Sequence, residues 1–211
     1  MSTRLFPTLS ALSCIVGIIM LIVSFSINPG PPSNATLAQL IAFRNQYFAS
    51  ILWGSWLQAV GPLLIVLFAF AIVCLAGATT QLAGWMTMFG GTILMVVSLI
   101  EITFYISTLY STPASMGLIS LDLIHAVQHL YFIVAAPALF LPLGIVILSS
   151  HVLPQVFWYL ALVLGAAFAI LGGVFLFSLI LPAAVTAFAG IQAFWWLAAA
   201  IWLLVRGGKK I

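Results

Sequence analysis

Glu101 and Asp122 are the only acidic residues of the chain, and with Arg44 they are the only residues charged at neutral pH between Pro7 and Val205. Everything around them is apolar. With 65% hydrophobic and 3% charged residues, the chain lacks the polar surface of a soluble domain, so lipid must cover most of its outside. A carboxyl group is costly in a bilayer, which makes its surroundings the place to look for chemistry. Tyr105 follows Glu101 by one helical turn in EITFYISTLY, and His125 and His129 follow Asp122 in LDLIHAVQHL. Most of the titratable chemistry is therefore gathered in two consecutive apolar segments.

At 100° per residue, Glu101 and Tyr105 lie about 40° apart on a helix, with Ser98 and Thr108 on the same side. Asp122, His125 and His129 fall within an arc of about 60° on the next helix. Counted from the facing ends of the two segments, Glu101 and His125 lie at similar depths of roughly 10 to 14 Å. His125 is then the expected partner of Glu101. His129 is expected near mid-membrane and Asp122 nearer the interface, with Trp53, Ser55, Trp56, Gln58 and Gln192 on neighbouring spans.

Three chemistries suit this set. A graded line of carboxyl, phenol and imidazole groups, Glu101, Tyr105, Asp122, His125 and His129, is suited to binding or conducting a proton, a cation or a small solute. His125 and His129 at i and i+4, with Glu101 as a third ligand, suit a divalent transition metal. The same acid and base would also serve a membrane enzyme acting on a lipid-soluble substrate. The alternative without chemistry is an accessory subunit in which these polar groups join helices. The pathway reading is the expectation taken forward.

Other classes are disfavoured by residue count. Two acids cannot build a four-carboxylate di-iron site. His125 and His129 share one helix face, so no haem is expected, and His151 is expected as a loop residue or helix-end cap. There is no aspartate cluster for magnesium diphosphate, no phosphate-binding glycine fingerprint and no basic nucleic-acid patch. Cys14 and Cys74 sit in separate apolar runs and form neither a disulfide framework nor a thiolate metal motif.

The elements that must position these groups are helices, because an open sheet leaves backbone groups unsatisfied in lipid. Apolar runs at about 8–27, 47–76, 83–109, 118–149, 155–181 and 185–205 are long enough to span. The expected fold is all-α, a single polytopic domain over residues 1–211 with six transmembrane helices. The first run reads as a retained helix and not a cleaved signal, since its length matches a hydrocarbon core. Arg4, Arg206, Lys209 and Lys210 flank the outermost spans, so both termini are expected in the cytoplasm, and the membrane is expected to be the plasma membrane of a prokaryote. Pro62, Pro137 and Pro142 mark expected bends. The first outward loop combines the turn-rich NPGPPSN with LAQLIAFRNQYF, expected as an interfacial helix or the start of the second span. It also contains an Asn34-Ala35-Thr36 triplet with the form of a glycosylation sequon.

Overall fold

The computed structural model describes residues 5–29, 36–113, 115–175, 177 and 182–207. The segment 30–35 with its Asn34 and the terminal Arg4, Lys209 and Lys210 lie outside them. All regular structure among the described residues is helical: α1 (Leu5–Ile27), α2 (Leu37–Leu75), α3 (Leu82–Tyr110), α4 (Met116–Leu130), a π turn (Tyr131–Ala135), α5 (Ala136–Ser150), α6 (Gln155–Phe175) and α7 (Pro182–Gly207). Because α4, the π turn and α5 form one continuous rod, six rods result, each long and apolar enough to cross a membrane. They fall on the six apolar runs of the sequence and define a multi-pass membrane architecture. The end of the bundle where α1 begins and α7 finishes is called the terminal end below, and the other the distal end.

The rods differ in length, and this shapes the distal end. Thr36 starts α2 with a capping box, its N–H donating to Gln39 Oε1 at 2.9 Å and its Oγ1 accepting from the Gln39 N–H at 3.3 Å. No breaker follows, so LAQLIAFRNQYF continues into the second span as one helix of 39 residues. Beside it α1 finishes early: Ser24 Oγ donates to the Gly54 carbonyl at 2.8 Å, close to the end of α1. From Gly54 back to Leu37, α2 therefore stands about 25 Å beyond its neighbour. This overhang packs on the distal ends of α3 and α4. Arg44 Nη1 donates to the Ser111 carbonyl at 3.4 Å, Phe48 meets Tyr110 edge-on at 5.7 Å, and the Ser107 and Ser120 hydroxyls lie 3.0 Å apart.

Each interior proline removes the N–H that would bond to the carbonyl four residues earlier. Pro62 frees the carbonyl of Gln58, which accepts from Ser98 Oγ of α3 at 3.3 Å. Pro142 frees the carbonyl of Ala138, and Gly90 of α3 sits directly against that oxygen. Just before Pro137 the helix widens into the π turn, where the Ala136 N–H reaches back five residues to Tyr131. Gly172 lets α6 approach the backbone of Ile133 in that turn.

In lipid, apolar burial alone does not favour one helix pairing over another, and close packing decides. Phe68, Phe140, Phe168, Trp195 and Trp196 supply it at the centre, with Phe140 5.3 Å from Trp196 and Trp196 6.1 Å from Phe68. These rings tie α2, α5, α6 and α7 into one core. At the terminal end, His151 closes α5 in a left-handed conformation, φ 55°. Arg206 Nη1 holds the turn by donating to the carbonyls of His151 at 3.3 Å and Val152 at 3.5 Å.

Candidate functional site

Glu101 faces inward from α3 and is gripped from two sides. Gln58 Nε2 of α2 donates to its Oε2 at 3.1 Å, and Gln128 Nε2 of α4 donates to its Oε1 at 3.2 Å. Gln58 is itself fixed at both ends, because its backbone carbonyl, freed by Pro62, is held by Ser98 one turn from Glu101. The proline thus creates the acceptor that positions the glutamine that binds the carboxyl group. Neither partner carries charge. Of the described basic side chains, Arg44 bonds to Ser111 and Arg206 to the turn after α5, so neither neutralises Glu101.

The polar region continues toward α7. Tyr131, in the π turn three residues beyond Gln128, donates its O–H to Gln192 Oε1, and it lies within electrostatic range of Glu101, as does Tyr105. Two nearby atoms have no hydrogen-bond partner among the described residues: Ser55 Oγ, one turn distal of Gln58, and His129 Nδ1, next to Gln128. Tyr131→Phe is expected to leave the Gln192 oxygen unpaired at a cost of about 1–2 kcal/mol. Thermal unfolding in detergent checks this, and an unchanged melting temperature would show that the bond contributes nothing.

The stripe of Asp122, His125 and His129 does form one side of α4, but it is not the side turned to α3. Gly117, Ser120, Ile124 and Val127 are the buried residues of the helix, which leaves Asp122 and His125 exposed and His129 half-buried. The hydrogen bonds of Glu101 accordingly go to two amides and not to His125. Among the described residues no three His, Cys, Asp or Glu side chains come together at metal-binding distances.

The level of the site follows from α1 and α2. Gln58 stands one turn distal of Gly61, which meets Gly17, so the grip on Glu101 lies about 10 Å short of the distal end of α1. Trp53 and Trp56, exposed and packed edge-on at 6.1 Å, lie between this level and that end.

Gln128 and Tyr131 are the site residues that composition does not advertise. A signal existed for the first: on α4 it lies next to the side defined by Gly117, Ile124 and Val127, and charged neighbours draw attention away from it. The chain matches no protein-family model, no curated protein and no solved structure.

Proposed function

We propose that this membrane protein binds or conducts a small cation, the proton included, at Glu101. The observation that carries the reading is a half-buried carboxyl group held by two neutral amides from two other rods, without a lysine or arginine among the described residues to balance it. An ionised carboxylate left unbalanced at such a site costs several kcal/mol, so it is expected to be neutralised by whatever cation the surroundings provide. With both termini cytoplasmic, as the basic residues of the two end segments argue, the distal end faces outward and the site lies in the outer part of the bundle.

On the elements packed around Glu101, Tyr105 of α3, His129 of α4 and Tyr131 of the π turn are half-buried, Asp122 and His125 of α4 are exposed, Arg44 and Tyr47 lie on the overhang of α2, and α2 offers the neutral Gln58 to the carboxyl group. In proteoliposomes, wild-type protein is expected to give a cation- or pH-dependent flux that Glu101→Gln lacks while remaining folded. A variant with the wild-type response would remove Glu101 from the mechanism. The accessory-subunit reading would then lead, with the same contacts acting as helix-joining hydrogen bonds.

A further inference from the structure

We infer that the cation taken at Glu101 is a monovalent alkali ion, coordinated by the side-chain oxygens of Glu101, Gln58, Gln128 and Ser55. This inference rests on the proposed function and specifies its ligand. One carboxylate, flanked only by neutral amides and without a second acid among its hydrogen-bond partners, is balanced by a single positive charge. A divalent ion would leave a net charge in a low-dielectric setting.

A terminal amide carries its oxygen and nitrogen on the same carbon, so a half-turn of the Gln58 and Gln128 amides replaces each N–H donor with a carbonyl oxygen at nearly the same place. Those two oxygens and the carboxylate converge from α2, α4 and α3. Hard cations are bound by such oxygen ligands, and neither imidazole nor thiolate is needed.

Ser55 is 1% exposed, and among the described residues its Oγ has no hydrogen-bond partner. Other hydroxyls on these helices, among them Ser10, Thr87 and Thr103, turn back to a carbonyl of the preceding turn. Ser55 stands one turn distal of Gln58 and about 60° around α2 from it, on the buried side of that helix. Its hydroxyl is an oxygen ligand at the distal edge of the site, toward the boundary from which an ion would enter.

The test is the thermal unfolding of purified protein in nanodiscs, titrated with NaCl, with KCl and with choline chloride at constant ionic strength and at two pH values. Binding to the folded state raises the melting temperature with ligand concentration. The expected result is a saturable rise with NaCl or KCl absent in choline chloride, weakened by roughly tenfold in Ser55→Ala and abolished in Glu101→Gln. Isothermal titration of NaCl into wild-type protein keeps the inference testable if a variant does not fold. If alkali ions act no differently from choline while melting still depends on pH through Glu101, the site takes protons only and the inference falls, leaving the proposed function in place. If Glu101→Gln abolishes neither response, both fall.

Discussion

Glu101→Leu is expected to lower the melting temperature sharply, while Glu101→Gln leaves it close to wild type. Leucine fills a similar volume but offers no acceptor, so the Gln58 and Gln128 amides both lose their partner inside the bundle. Each unsatisfied amide costs about 1–3 kcal/mol, and the pair about 2–6 kcal/mol. Some of that is offset because a carboxyl group is no longer buried. Glutamine keeps an acceptor and can bond to both amides. Unfolding of the two variants side by side in one detergent separates polarity from charge. Equal melting would mean that the amides find other partners, and the positioning argument built on Pro62 and Ser98 would fail with them.

Gly90→Val should be the more damaging substitution, and it touches no titratable group. A Cβ atom at Gly90 would lie 2.1 Å from the Ala138 carbonyl oxygen and 2.4 Å from its carbon, backbone atoms that cannot rotate away. Separating α3 from α5 enough to admit it would disturb the contact that places Glu101 beside Gln128. A loss of about 3 kcal/mol or more is expected. Gly173→Ala is the control, since no described residue lies within 4 Å of the new methyl group and Gly173 is helical. There the exchange is expected to be neutral or to stabilise by about 0.5–1 kcal/mol. If both variants melt like wild type, the close approach of α3 and α5 is not present in the protein.

The six rods were legible because a span must be about 20 apolar residues long and the chain carries few interruptions. What a linear pattern does not contain is the vertical offset between rods. LAQLIAFRNQYF reads equally well as a separate helix, and only its packing on Ser111 and Tyr110 explains why α2 runs on without a break. Helical spacing correctly grouped Asp122, His125 and His129 on one side of α4, but periodicity does not say which side meets a neighbour. Small and apolar Gly117, Ser120, Ile124 and Val127 pack closely against other helices, so they took the core and turned the charged stripe outward. Glu101 was singled out by its rarity. Its amide partners were harder to find because glutamine tolerates both buried and exposed positions.

The unequal lengths of α1 and α2 have a mechanical side. The backbones of the two helices are in close contact where Gly17 meets Gly61, and neither glycine could accept a methyl group without striking the other's carbonyl. That contact is a natural fulcrum for the longer rod. A 5° tilt about it would carry Leu37, some 36 Å away, through about 3 Å. Gln58, about 4.5 Å from the fulcrum, would move by only about 0.4 Å. A force on the distal tip of α2 would therefore sweep the overhang through a wide arc and leave the grip on Glu101 almost still.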